Sequence, residues 1–257
     1  MEQMLTPPPL YELVMVDKTD SARAHAERLA AQGADEGTLV WAKSQTEGLG
    51  RNNRFWMSGY QNLHLGLVLK PEQPLDIACQ VSLVATICTA MAISEQAEPM
   101  AELRYRWPND VLLNRGKVAG ITLSGSLGSS NIPEWMVLGV NVNVFDNPNS
   151  LGFDSASMRG EGFETHDRVQ LAETFCRQFL SWVNRWADDG FEAIRKAWLI
   201  RARGDPLLQT IRLADTEITG TFDDVDEQGT LTLQTNKRNK RSITLAAFFQ
   251  PDFVTPR

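Results

Sequence analysis

Two short stretches carry residue types suited to chemistry on a phosphate. The first, residues 47–59 (EGLGRNNRFWMSG), holds three glycines, Arg51 and Arg54, two asparagines and the pair Phe55-Trp56. Small residues let backbone N–H groups approach an anion while guanidinium groups neutralise its charge. The second, residues 106–121 (RWPNDVLLNRGKVAGI), puts Asn109 and Asp110 at the mouth of one strand and Lys117 at the start of the next. A hairpin over 110–121 brings the carboxylate and the ammonium together, and Gly120 leaves bare backbone on which another molecule can lie.

Spacing alone leaves both stretches open. GLGR is not a GxxxxGK[ST] loop opening a helix, and no GxGxxG precedes a helix here, because a strand follows. The first stretch reads equally as a surface loop. The second reads equally as a β-hairpin with an NRG turn and a surface Asp/Lys pair.

The elements that must position these residues alternate between two periods. LYELVMV (10–16), TLVWA (38–42) and NLHLGLVL (62–69) are strand-like, and SARAHAERLAAQGA (21–34) sets Ala22, Ala26, Leu29 and Ala30 at helical spacing. The glycine and arginine stretch therefore joins two strands. DIACQVSLVATICTAMAISEQA (76–97) is predicted as a helix buried on nearly all sides. ELRYRW, DVLL, KVAGITLSGSL and EWMVLGVNVNVF follow as strands between PN, NRG and GSSNIP turns. Residues 166–202 read as two amphipathic helices broken at Asp189-Gly190, with a buried stripe of Phe175, Phe179, Trp182, Val183 and Trp186. Beyond Gly204 the pattern turns to short strands with frequent turns, as in a small barrel, the last of them running through RSITLAAFF (241–249). The expected fold is α+β, a mixed or antiparallel sheet packed against helices, with one domain over 1–203 and a small β-barrel over 204–257.

Composition bounds the function. At 257 residues, 42% hydrophobic and 22% charged, the chain is an ordinary globular protein with room for one large core and a satellite. A net charge of −7 argues against a broad DNA-binding surface. No uninterrupted run of about 18 apolar residues and no signal-peptide pattern is present, so a cytoplasmic protein off the membrane is expected. Cys79, Cys88 and Cys176 lack metal-site spacing and are expected to be reduced packing residues.

Taken in order, VDKTDSA, AKSQTEGLGRNNRFW, NLHLGLVL, RWPNDVLL, GKVAGI and GVNVN resemble the catalytic domain of the biotin protein ligases, in the biotin/lipoate ligase superfamily, and ITGTFDDVDEQGTLTL resembles that family's C-terminal SH3-like barrel. The resemblance implies a class II synthetase-like fold. It implies an enzyme that makes biotinyl-5′-AMP from biotin and ATP with Mg2+ and passes biotin to a lysine of a biotin carboxyl carrier protein or carboxylase carrier domain. By resemblance, Arg51 and Arg54 hold the phosphates with Gly50, and Lys117 bridges the biotin carboxyl and the α-phosphate. Asp110 orients the incoming lysine, or helps place Mg2+, with Asn109 in support. Thr19, Gln45, Gly48, Trp107, Asn109 and Gly120 belong to the biotin pocket, and Trp56 and Asn141 serve the adenine.

The chain departs from the family pattern in places. Leu49 and Asn53 replace an arginine and a glycine of the usual GRGRxGR loop, which bears on retention of the adenylate. Lys18 and Asp20 replace the serine and asparagine of DSTN, which bears on recognition of the ureido ring, and Arg106 replaces a lysine before WPND. No winged-helix pattern precedes residue 10, so DNA is not an expected partner, and EWMVLGVNVNV could pair across a homodimer. Lipoate or octanoate attachment is the nearest alternative, although the RRxxGGGxVxHD loop of that branch is missing. A protein that captures biotin without transferring it is the other.

Overall fold

In the computed structural model, which describes residues 5–51, 56, 59, 61–128, 131–146, 154–163, 167–202 and 208–254, the strand-like segments before residue 145 assemble into one sheet that is completed from the C-terminus. Its order is β1 (Glu12–Val16), β2 (Thr38–Ala42), β3 (Leu63–Leu69), β7 (Pro133–Val142), β6 (Gly116–Leu127), β5 (Asp110–Leu113) and β4 (Leu103–Arg106). β12 (Phe253–Val254) pairs with β6 at Gly125 and Ser126. β1 and β2 run parallel because α1 (Ala22–Ala31) crosses between them, and the other neighbours along this path are antiparallel. The sheet is therefore mixed, as expected.

Each face of the sheet is covered differently. On one, Ala22, Ala26 and Ala30 of α1 pack on Val40, Ala42, Val68 and Val137. This close approach needs Gly66, where an added Cβ would lie 2.9 Å from that of Ala26. Opposite lie α2 (Leu75–Ala78), α3 (Val81–Ser94), α4 (Arg168–Asp189) and α5 (Phe191–Ala202). The 75–94 run is apolar enough to cross a membrane, yet 83% of its most apolar 18 residues are buried inside this fold, which makes it the core helix its composition predicts. A turn at Cys79 and Gln80 divides the single helix expected over 76–97. The Asp167 carboxylate caps α4, accepting from Val169 N at 2.8 Å and Gln170 N at 3.2 Å, and Gly190, at φ 75°, separates α4 from α5. Phe175 and Phe179 are buried, whereas Trp182, Val183 and Trp186 lie half-buried at the margin of the same core. All three cysteines are free and buried, and burial pushes the Cys79, Cys88 and Cys176 thiols up.

A second sheet of four antiparallel strands follows, β8 (Leu208–Arg212), β9 (Glu217–Val225), β10 (Leu231–Asn236) and β11 (Asn239–Ile243), each beside the next. Ile211, Val225, Leu231, Leu233 and Ile243 join the hydrophobic cluster of the main sheet. Trp198 links the two, with its ring 5.8 Å from Tyr105 and 6.1 Å from Phe222. The strand expected through residue 249 stops at Ile243. There the Thr244 hydroxyl accepts from Ala247 N at 3.1 Å and caps α6 (Leu245–Phe249), so capping chemistry overrides an apolar run that reads as strand. The domain boundary expected at 203/204 falls outside the described residues. The helices end at Ala202, the second sheet begins at Leu208, and β12 brings the C-terminal segment back to the main sheet.

Candidate active site

One row of residues crosses four strands of the main sheet. Asp110 on β5 pairs with Gly120 on β6, Gly120 with Asn141 on β7, and Asn141 with His64 on β3. Strict alternation would send Lys117 and Gly120, three residues apart, to opposite faces of β6. A bulge prevents this. Leu112 pairs with Lys117 while Val111 pairs with Ala119, so Val118 is the extra residue, and Val118 and Ala119 both enter the core cluster behind the sheet. Lys117 consequently shares the front face with Asp110 and Gly120. The hairpin between β5 and β6 turns on Asn114 and Arg115, at φ 47° and 77°, the pair of left-handed residues that suits a two-residue β-turn.

On that front face the Lys117 ammonium lies 2.5 Å from Asp110 Oδ1 and 5.2 Å from the centre of the Trp56 ring. A Cβ at Gly120 would sit 3.0 Å from Trp56 Cζ3 and 3.2 Å from Lys117 Nζ. An ammonium, a carboxylate and an indole thus meet over backbone that carries no side chain. The two charged side chains are only 16% and 17% exposed, so their attraction is screened less than that of a surface pair.

Farther along the row the contacts are neutral. Asn141 Oδ1 accepts from Gln45 Nε2 at 3.3 Å and faces His64 Nδ1 at 2.9 Å. An amide oxygen only accepts, which assigns the imidazole proton to Nδ1. Burial holds His64 neutral and pushes its pKa from 6.5 down to about 4, against the opposing pull of the Asn141 hydrogen bond. Gln45 Oε1 accepts from Ala22 N at 2.7 Å at the start of α1, and Gln45 bridges in parallel to Thr19. The Thr19 hydroxyl donates to Asp20 Oδ1 at 2.8 Å.

The glycine stretch is fastened at its ends. Trp56 N donates to Gly48 O at 2.7 Å, and Arg23, buried on α1, donates to Gly50 O at 3.5 Å and pairs with Asp252 at 3.9 Å. Arg51 lies against the C-terminal segment. It donates to Phe248 O at 2.9 Å and to Arg212 O, and its guanidinium stacks 3.8 Å over the Phe248 ring. Arg54 lies outside the described residues.

Of the residues singled out by sequence, the structure brings Lys117, Asp110, Gly120 and Trp56 together, with Asn141, Gln45 and Thr19 in the adjoining network. Arg51 is engaged by the carbonyl oxygens of Arg212 and Phe248 and by the face of the Phe248 ring. Trp107 and Asn109 are turned inward. Trp107 donates to Gly229 O at 3.0 Å and meets Phe248 edge-on at 5.2 Å, while Asn109 donates to Ile121 O at 2.6 Å. Trp107 thereby ties the start of the hairpin to the second sheet and the C-terminal segment, and Asn109 ties it to β6. His64, Arg23 and Asp252 escaped the sequence reading. A lone histidine among alternating leucines in NLHLGLVL is the one local signal, whereas the Arg23–Asp252 contact joins residues too far apart in the chain to be anticipated. Among the described residues, no group of three or more His, Cys, Asp or Glu side chains could hold a metal ion.

An α+β ligase fold with a lysine–carboxylate pair beside a glycine and arginine stretch defines the class, and comparison with known proteins defines the family. Residues 7–200 match the biotin/lipoate A/B protein ligase family, and the chain belongs to it. It is 34% identical over 227 residues to a biotin–[acetyl-CoA-carboxylase] ligase of Paracoccus denitrificans, covering 86% of this chain and 93% of that one. It is 29% identical over 234 residues to the bifunctional ligase/repressor BirA of Bacillus subtilis, covering 89% of this chain and 71% of that one. A biotin protein ligase from Aquifex aeolicus, solved in complex with biotin and ATP, shares the fold, with a TM-score of 0.76 at 21% identity over 92% of this chain and 97% of that one.

Proposed function

We propose that this protein is an ATP-dependent biotin ligase that forms biotinyl-5′-AMP and passes the biotinyl group to a lysine of a carboxylase carrier domain. The placement of Lys117 carries the reading. Its ammonium, held by Asp110 over the bare backbone of Gly120, is where two anions, a carboxylate and an α-phosphate, can approach each other. In the first step a biotin carboxylate oxygen attacks the α-phosphorus, the bond to the bridging oxygen breaks and pyrophosphate leaves. Lys117 offsets the charge gathering between the reactants, an effect on the order of 10² to 10³ in rate for a well-placed donor. Arg51 and Arg54 add to it when the loop closes on the phosphates, which requires Arg51 to leave Phe248.

In the second step the amine of the carrier lysine attacks the acyl carbon, AMP leaves with the anhydride oxygen, and Asp110 takes or orients the amine proton. The Trp56 indole supplies a stacking face for adenine, and Asn141 an amide. Asp110 is the carboxylate that a magnesium ion carried by the ATP phosphates would meet. That ion usually keeps several waters and needs few protein ligands, which suits the lack of a metal cage among the described residues. It would shield the phosphate charge. The assignment to biotin over lipoate rests on the curated relatives, whose names specify biotin.

Incubation with ATP, Mg2+ and either biotin or lipoate tests this, with pyrophosphate release and the mass of an added carrier domain as readouts. Release and a biotinyl mass increment with biotin are expected. Release with lipoate alone would overturn the biotin assignment, and biotin binding without release would identify a protein that only captures the vitamin.

A further inference from the structure

The strand-to-helix corner at residues 17–21 contains a carboxylate, Asp20, and the fold answers it with an arginine two turns along α1. Arg28 grips Asp20 with both arms of its guanidinium, Nη1 to Oδ2 at 2.6 Å and Nη2 to Oδ1 at 2.8 Å. Oδ1 also accepts from Ser21 N at 2.8 Å and from the Thr19 hydroxyl at 2.8 Å. A two-armed arginine contact fixes the orientation of a carboxylate as well as its charge. The guanidinium of Arg28 accordingly holds the Asp20 carboxyl well below the usual carboxylate range, so that it only accepts hydrogen bonds at neutral pH.

That constraint decides what Thr19 can do. A hydroxyl has one proton and two lone pairs. The proton goes to the ionised, nearer oxygen of Asp20, and the other neighbour, His25 Nδ1 at 3.3 Å, must then face Thr19 as a donor. One lone pair remains for a ligand. The backbone of Thr19 is bridged to that of Gln45, whose side chain reaches Asn141 in the row that contains Gly120, so residue 19 adjoins the row that holds Lys117.

We propose that the Asp20–Arg28 pair is a positioning device that fixes the Thr19 hydroxyl as a hydrogen-bond acceptor and thereby selects a ligand head group bearing an N–H donor. The inference rests on the biotin reading and sharpens it. The cyclic urea of biotin offers N–H groups, whereas the dithiolane of lipoate and the alkyl chain of octanoate offer none and would leave the acceptor unsatisfied. A site built around a hydrogen bond rejects ligands lacking the partner more strongly than an apolar pocket rejects a misfit. Arg28 and Asp20 are positioning residues, since neither needs to touch the ligand.

The test compares binding of biotin, of biotin methylated on its ureido nitrogens, and of lipoate by calorimetry for the wild type, Asp20→Ala and Arg28→Gln. The wild type is expected to prefer biotin to the methylated form by about 100-fold, and each variant to narrow that ratio about tenfold, as expected for one neutral hydrogen bond. KM for biotin should rise about tenfold while kcat for pyrophosphate release stays within about twofold, a split that loss of folding would not produce. Unchanged ratios in both variants, with wild-type biotin binding intact, would overturn the positioning role alone. Failure of the wild type to bind biotin would overturn the biotin reading and this inference with it.

Discussion

The two halves of the candidate site are built by different means. The row Asp110–Gly120–Asn141–His64 is a product of ladder register: backbone hydrogen bonds fix each residue beside the next, and the bulge at Val118 aims Lys117 into the row. The described residues of the glycine stretch belong to none of the strands of that row, and Gly50 and Arg51 rest on α1 and on the C-terminal segment through Arg23, Phe248 and Asp252. Ladder hydrogen bonds are buried and cooperative, whereas a few side-chain contacts can be exchanged for ligand contacts at small cost. A ligand that competes for those side-chain contacts therefore disturbs the second half more easily than the first.

The largest expected effect breaks the fixed half. Lys117→Ala should lower the rate of pyrophosphate release by about 10² to 10³. The variant should still unfold in one cooperative transition, because the ammonium faces the cleft and the carboxylate it leaves behind keeps some contact with water. A collapse of the melting temperature would show instead that the Lys117–Asp110 pair holds the sheet together, and the distinction between scaffold and chemistry would fail.

A second experiment asks whether that half is as dry as its geometry implies. His64 is buried and neutral when folded, with its pKa pushed from 6.5 to about 4, while the unfolded chain takes up the proton at its ordinary value. Below pH 6.5 the unfolded state therefore binds more protons, and stability falls with pH through the window from about 6.5 to about 4. The loss amounts to on the order of 3 kcal/mol from this residue. Urea midpoints at pH 7.5, 6 and 5 should converge for wild type and His64→Gln as pH falls. Parallel curves would mean that water reaches the imidazole and that the row is not sealed.

Much of the fixed half was legible in the sequence because its signals are local. Period-two alternation marks β3, β6 and β7, the NRG turn marks the β5–β6 hairpin, and Asp110 and Lys117 are brought together by that hairpin alone. The bulge was not legible, since GKVAGI reads as an unbroken strand, and the extra residue emerges only when the partner strand is laid beside it. The clasp was even less accessible. Arg51 meets Phe248 across 197 positions and Arg23 meets Asp252 across a similar span, and no period or turn rule connects such residues. The same distance explains why RSITLAAFF was read as one strand: the α6 turn that presents Phe248 to Arg51 depends on Thr244 as a cap, and the apolar run after it has no helical stripe long enough to announce itself.

The smallest expected effect lies in the clasp. Phe248→Leu keeps an apolar side chain in the core but removes the ring face under the Arg51 guanidinium, an interaction worth about 0.5 to 1 kcal/mol at a partly exposed site. If the C-terminal segment steadies the glycine stretch over a bound adenylate, the variant should release AMP two- to fivefold faster in the absence of a carrier domain, since a looser loop admits water. Asp252→Asn, which weakens the partner of Arg23 from the same segment, should act in the same direction, and the two changes together should be less than additive because they loosen one element. KM for biotin should stay at the wild-type value in both, because Thr19 and Gln45 belong to the fixed half. A rise in that KM equal to the rise in AMP release would mean that the two halves move as one body, and that the C-terminal segment supports the whole site and not the loop alone.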